Sequence, residues 1–427
     1  MRGRVARALR RVIGVRLAVS ARIGLLAVTV AALAASGAPR SFNGQRQIGP
    51  PPGGPTAADP VSISTGIYYR HTLDLIVWDV VPIRFGRVYQ SNETGTRAFG
   101  VSTGHSYDYE LTGSLAAITI VTPEGSRVHY RRVDGGTGRE GARYEHWTTR
   151  SRYWGSAMGW MGDRWGVTFS DGAGLIFRSC GTREAPNGRC TLVGVADGAD
   201  NQLALTRDEH GRLLRIETPN RRWVRLQYDP AGRVSRASDS SGAHVVYEYN
   251  DAGRLARVIR SDGRIDTYEY DARGLMTRMK DVPGMVVENE YDSDGRPVRQ
   301  IVSYEADERG AAPPPAIWQF SYVVSDGRVR QGEVVRPRGE RNTLTFDAQG
   351  YTNREVWQYP GGRSTTIDYI VDTAEHRVTS VLVSCIGSDG ATKPLSARIA
   401  PRMSAWTMAR LLSAQCGVPV LEVDDER

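Results

Sequence analysis

The sequence predicts an all-β chain: repeated antiparallel β-hairpins forming a curved, partly open spiral sheet, with one short helix near the C-terminus. Three observations carry this. Glycines stand at 211, 232, 253, 274 and 295, each 21 residues after the last, and a fixed period of that length marks a repeat architecture. Ahead of these turns run period-two alternations such as Val245-Val246-Tyr247-Glu248-Tyr249, in which Val245, Tyr247 and Tyr249 share one strand face. Residues 108 to 205 add further short apolar or alternating runs between glycine-rich turns and show no sustained helical period.

Each period holds two strands. The alternating run precedes the turn; a second run such as Leu255 to Arg260 follows it and ends at a second turn signal, Gly242, Gly263 or Gly284, again 21 apart. One repeat is therefore a hairpin plus the turn into the next hairpin. The main turns pair Asp208 with Gly211, Asp229 with Gly232, Asp251 with Gly253, Asp271 with Gly274 and Asp292 with Gly295. Glycine supplies positive φ, the leading carboxylate accepts backbone N–H groups two residues on, and the Arg beside most of these glycines returns to a nearby carboxylate. These residues are thus assigned to turn geometry, not to a metal or ligand. The period also sets Tyr228, Tyr249, Tyr270 and Tyr291 in one register, predicting a ladder of side chains across neighbouring strands.

Tyr-Asp-x-x-Gly-Arg units about 20 residues apart resemble the YD repeats of the RHS family, which includes bacterial polymorphic toxins, wall-associated proteins and teneurins. The segment from Asp59 through Leu73-Asp74-Leu75, Pro82-Ile83-Arg84-Phe85 and Arg87 to Ser91 to His105-Ser106-Tyr107 follows the order seen at the start of RHS proteins, with Thr103-Gly104 where that family has Gly-Trp. The resemblance implies an opening β module before an RHS-like spiral shell. The autoprotease and toxic regions that end long RHS proteins have no counterpart in these 427 residues.

Taken in order, the chain divides as 1–38, a signal peptide or uncleaved anchor; 39–58, a Pro/Gly-rich linker; 59–205, the N-terminal β module; 206–383, the YD-repeat sheet; and 384–427, a C-terminal segment with a helix over 401–415. The leader combines eight Arg and no acid in residues 1–40 with an apolar run from Ile23 to Ala35. That run suits a signal peptide and is short for a membrane span of ~20 residues, so cleavage is expected between about Ala35 and Ser41. The net charge of +8 belongs to this leader, and only Lys280 and Lys393 are lysines. A neutral remainder with interspersed Arg and acids argues against nucleic acid as a partner.

His105 has no accompanying nucleophile or carboxylate motif and reads as a buried structural histidine. Cys180 and Cys190 flank a short loop suited to a disulfide, with Cys385 and Cys416 as the remaining pair, although four cysteines allow three connectivities. Tyr153, Trp154, Trp160 and Trp165 form an aromatic cluster that reads as a candidate sugar-binding surface beside the competing role of core anchors. The insertion Glu308 to Pro315 lengthens one period and is expected to project from a loop between paired strands. The terminal helix is expected to cover the last strand edge.

No phosphate loop, nucleophile elbow, zinc motif or paired-carboxylate signature is present. The expected catalytic residues, metal and cofactor are therefore none. The reading is an exported, non-catalytic scaffold or binding protein of the cell envelope, whose partner is an envelope glycan or a secretion-system protein. It touches the membrane only through its N-terminal segment if that is retained. The alternatives are a companion of a polymorphic toxin system and a glycosidase-like enzyme acting through sheet carboxylates.

Overall fold

The computed structural model describes residues 56–147, 151–179, 190–199, 201–282, 284–306, 310–347, 352–372, 377–387, 390–398 and 405–415. The leader, the linker up to residue 55, Cys180 and Cys416 lie outside them. From Glu110 to Arg398 every strand pairs antiparallel with the next, making one continuous sheet across the expected boundary at 205/206.

The sheet closes once and then spirals. The eight strands from Glu110–Ser114 to Cys190–Ala196 form a ring, because Cys190 and Thr191 pair with Leu111 and Glu110. The far half of that same strand pairs instead with Gln202–Arg207, through Gly194↔Ala204 and Ala196↔Gln202. One strand edge thus serves both the ring and the continuing spiral. Cys190 is buried and disulfide-bonded at this branch, and Cys385 is disulfide-bonded in the terminal strands.

Turn chemistry sets the period as expected. The five main-turn glycines have φ between 73° and 85°, left-handed values that cost glycine nothing. Asp208 Oδ1 accepts the N–H groups of His210 and Arg212, and Asp292 Oδ1 those of Asp294 and Arg296. In the third copy the position belongs to Asn250, whose Oδ1 accepts the Arg254 N–H at 2.9 Å. Asp251, the acid expected there, is exposed. The correction follows from the period: 208, 229, 250, 271 and 292 are the equivalent positions, and an Asn carbonyl oxygen accepts as a carboxylate does.

The tyrosine ladder has a specific anchor. Tyr228, Tyr249, Tyr270 and Tyr291 donate their hydroxyls to the carbonyls of Leu213, Val234, Leu255 and Met276 at 2.5–2.8 Å, each 15 residues upstream. Arg212, Arg233 and Arg254 lie over the first three rings. Each tyrosine therefore ties its strand to the start of the preceding one while satisfying its own hydroxyl. On the opposite face Arg257–Glu248, Arg278–Glu269 and Arg299–Glu290 make cross-strand pairs at 2.6–3.3 Å. A charged outer face keeps the spiral from stacking on itself.

The N-terminal segment is not a further turn of this spiral. Strands Thr56–Ala57, Val61–Ser62, Ile67–Val77, Ile83–Gln90 and Thr103–His105 form a separate sheet. This sheet packs into the repeats and shares one continuous core with them, including Tyr68, Phe85, Phe99, Tyr247, Met276 and Leu344. The approach is close. A Cβ on Gly332 would stand 2.5 Å from Ile63 Cγ2 and 2.7 Å from its carbonyl oxygen, so only glycine fits without displacement.

The insertion behaves as expected where described. Arg299 to Val302 pair with Gln319 to Ala316, and residues 310–315 are exposed. The terminal helix, Ala405–Ala414, differs from expectation. It lays Ala409 and Leu412 against Trp357, Ile367, Val381 and Val383, covering a face of the last strands and not their edge. Those strands carry large apolar side chains that the N-terminal sheet does not reach, and burying that area outweighs edge protection.

Candidate functional site

The densest buried chemistry lies where the N-terminal hairpin Ile67–Val77/Ile83–Gln90 meets the third and fourth repeats. Positions 224, 245, 266 and 287 are equivalent by the 21-residue period, and they hold Val, Val, Asp and Val. Asp266 is 1% exposed. A carboxylate at an apolar ladder position needs a partner, and the hairpin supplies one. Arg87 gives Nε and Nη2 to the two oxygens of Asp74 at 2.8 and 2.9 Å, and Nη2 also to Asp266 at 3.1 Å.

Arg260 completes the group with Nη1 on Asp266 at 2.8 Å, while the Tyr247 hydroxyl donates to Asp74 at 2.8 Å and Arg87 Nη1 donates to the Tyr268 hydroxyl at 2.5 Å. Two cations thus face two anions with no net buried charge. Burial pushes the Asp266 carboxyl up, but hydrogen bonding to Arg260 and the charge of Arg87 outweigh it and hold the group below the usual range. Sequence reasoning missed this cluster. The signal was the break in the valine register, which turn analysis passed over.

A second buried group surrounds His105. Its Nδ1 accepts the Tyr107 N–H at 3.1 Å, and Nε2 faces Asp108 Oδ1 at 3.6 Å. Burial pushes the imidazole down to about 4, against the pull of Asp108. Burial opposes ionisation of Asp108 too, yet the charges of His105, Arg97 and Arg207 bring it to about 2. His105 is a packed residue, as expected from its sequence context.

This predicts a pH dependence. A histidine whose folded pKa is depressed binds fewer protons than in the unfolded chain, so its contribution is complete above the unfolded value of 6.5 and is lost as pH falls towards 4. The loss is roughly 3 kcal/mol for a fully buried group. Denaturant midpoints followed from pH 7 to pH 4 should fall more steeply in the native chain than in a His105→Gln variant.

The four expected binding aromatics do not form one surface. Tyr153 and Trp165 are core residues, 4% and 2% exposed. Tyr153 sits edge-on to Phe169, and Trp165 is wedged between Tyr144 and Trp160. Their alternation places them inward, so a ligand does not reach them. Trp154 instead meets Trp147 edge-on at 5.6 Å, and Trp147 is 48% exposed with Nε1 on Glu145 Oε2 at 2.8 Å. Trp160 is half-buried, donates to Glu140 at 3.1 Å and lies under Arg139. Strand register sets Trp160 on the order of 15 Å from the Trp147 level, leaving a Trp147–Trp154 corner as the accessible aromatic surface.

Among the buried carboxylates, Glu355 accepts hydrogen bonds from Trp357 Nε1, Tyr369 OH and Asn342 Nδ2 at 2.6, 3.0 and 3.2 Å. Burial raises its pKa. An open groove of about 390 Å³ is lined by Glu290, Arg299, Gln319, Ser321, Glu333 and Arg341. Its acids are already paired, Arg299 with Glu290 and Arg341 with Glu333. Among the described residues no group of three or more His, Cys, Asp or Glu is placed to hold a metal ion.

The fold and the tyrosine-anchored period define a spiral β-repeat protein with an inserted N-terminal sheet. The comparisons agree: residues 185–298 match the Teneurin YD-shell family model, and residues 58–130 match a domain of unknown function, DUF6531. Together these matches support an RHS/YD-repeat family. Among solved structures, TcdB2-TccC3 is 13% identical with a TM-score of 0.38, over 78% of this chain and 21% of that one. A porin-like protein from Bacteroides uniformis ATCC 8492 is 11% identical with a TM-score of 0.21, over 54% of this chain and 92% of that one. No curated protein matches the sequence. The chain spans about a fifth of the TcdB2-TccC3 chain it matches. No helix among the described residues is long and apolar enough to cross a membrane.

Proposed function

We propose that the protein is an exported RHS/YD-repeat scaffold that works by binding through its outer surface, with a cell-envelope glycan as ligand, and performs no chemistry. The observation that carries this reading is the use of the sheet faces. The N-terminal sheet packs on the repeats in a common core and the terminal helix covers a face of the last strands, which leaves external surface for a partner. The Trp147–Trp154 corner, with Glu145 beside it, offers an apolar ring face next to a hydrogen-bond acceptor. That combination suits a sugar's C–H face and hydroxyls. Export rests on the leader, whose apolar run and small residues have the signal-peptide pattern.

The purified chain should be retained on insoluble peptidoglycan or a polysaccharide. Replacing Trp147 and Trp154 together by Ala should lower retention on the order of tenfold, as for loss of an aromatic anchor, while Trp165→Ala should act through stability. Release of soluble sugars that a single carboxylate substitution abolishes would overturn the non-catalytic reading. Undiminished retention by the double variant would overturn the assignment of the corner.

A further inference from the structure

The tip of the N-terminal hairpin carries a feature that the core does not explain. Trp78 is 62% exposed and Val80 60%, and Leu73 and Ile76 on the adjoining strand are 47% and 39% exposed. These four are the outward set of one ribbon, whose alternate residues Leu75, Val77, Ile83 and Phe85 are buried. At the tip the ribbon is two strands wide, its inner face on the shared core and its outer face exposed. The neighbouring strand Thr103–His105 pairs only with Arg87 to Tyr89 and stops short of it.

The tip is held in place by hydrogen bonds to a repeat turn. Asp79 Oδ2 accepts the Thr218 hydroxyl and Oδ1 the Asn220 amide, both at 2.6 Å, and Arg222 Nη1 donates to the Trp78 carbonyl at 2.7 Å. The backbone is pinned to a repeat turn while its large apolar side chains are held in water. Around it stand Arg84, whose guanidinium lies over the Trp78 ring at 5.5 Å, Arg221 at 74% exposure, and Arg222. The acids present are Asp79 and Glu217, the latter already bound by Arg215 and Arg221. The surroundings are therefore net positive.

We propose that this tip is a membrane-contact element that inserts Trp78 and Val80 into the interface of an anionic lipid bilayer while the flanking arginines engage headgroup phosphates. Tryptophan and arginine partition to that boundary for these reasons. A lipid surface fits better than a protein partner on size. The four side chains expose on the order of 300 Å², given that one large aromatic buries 150–250 Å², whereas each side of a stable protein complex contributes roughly 800 Å². An exposed ribbon face of this size can enter a fluid interface without needing a complementary groove. The inference adds a second membrane contact to the N-terminal segment and rests on the envelope location proposed above.

The test uses the full chain with vesicles of phosphatidylcholine alone and of phosphatidylcholine with phosphatidylglycerol, read by co-sedimentation. The wild type should bind the anionic vesicles more tightly, with binding weakened by salt. Trp78→Ser combined with Val80→Ser should reduce the vesicle-bound fraction by about tenfold or more, and Arg84→Gln with Arg221→Gln should remove the preference for anionic lipid. Val323→Ser, an apolar residue 56% exposed on a strand elsewhere, should leave binding unchanged. Binding by the tip variant equal to wild type would place all membrane affinity in the N-terminal segment and overturn the proposal, as would absence of binding by the wild type. Retention on polysaccharide, measured on the same tip variant, separates this outcome from failure of the glycan reading.

Discussion

Arg87→Met is expected to destabilise the protein by about 3–5 kcal/mol, the cost of leaving buried charges without their partner. Asp74 and Asp266, with side-chain exposures of 0% and 1%, would then share Arg260 as their one paired cation. Urea denaturation reads this as a fall in the midpoint at unchanged slope. Converting the whole group to apolar residues, Arg87→Met, Arg260→Met, Asp74→Leu and Asp266→Val, should recover most of the loss, because a well-packed apolar replacement of an entire buried network is often neutral. A loss below about 1 kcal/mol for Arg87→Met would give the cluster the weight of a surface pair.

Excising one full period, Gly232 to Ala252, is expected to destabilise the chain by on the order of 5 kcal/mol or more, a size reserved for the loss of several buried contacts. In a simple solenoid each unit meets mainly its neighbours and the in-register deletion would be mild. Here the units are not interchangeable. The excised one supplies Tyr247 to Asp74 and Phe99, the latter at 4.6 Å, and the N–H of Val234 to Ala98. The next supplies Asp266 to Arg87. Removing 21 residues slides every later unit past its partner on the N-terminal sheet. Removing 20 should be worse still, since a one-residue slip also turns the tyrosines to the outer face. Soluble yield and denaturation midpoint rank the two. A 21-residue variant as stable as the wild type would show that the N-terminal contacts are dispensable.

Much of this architecture was legible in the residue order because its causes are local. Positive φ at Gly211, Gly232 and their equivalents, carboxylate caps such as Asp208 and Asp292, and alternation over runs like Val245 to Tyr249 act within a few residues. They repeat with the chain, so the period exposes them. The misplacement of the third cap on Asp251 came from reading the acid and not the spacing; the spacing itself points to Asn250. The aromatic segment was legible as an aromatic segment, but its division into core and surface was not. Trp165 faces Tyr144, and Trp154 faces Trp147, contacts made by pairing with strands elsewhere in the ring.

The sequence by itself determined the class of fold, the hairpin unit, the register of Tyr228, Tyr249, Tyr270 and Tyr291, and the family these repeats resemble. Tertiary structure alone decided that the first eight strands of the sheet close into a ring through Cys190 and Thr191, that the N-terminal sheet packs on the repeats in a common core, and that Asp266 answers Arg87 across 179 residues. The physical reason is range. Turn geometry and alternation are set by each residue and its near neighbours, whereas burying a charge is tolerable only beside a partner, and which distant residue becomes that partner depends on how the whole sheet curves.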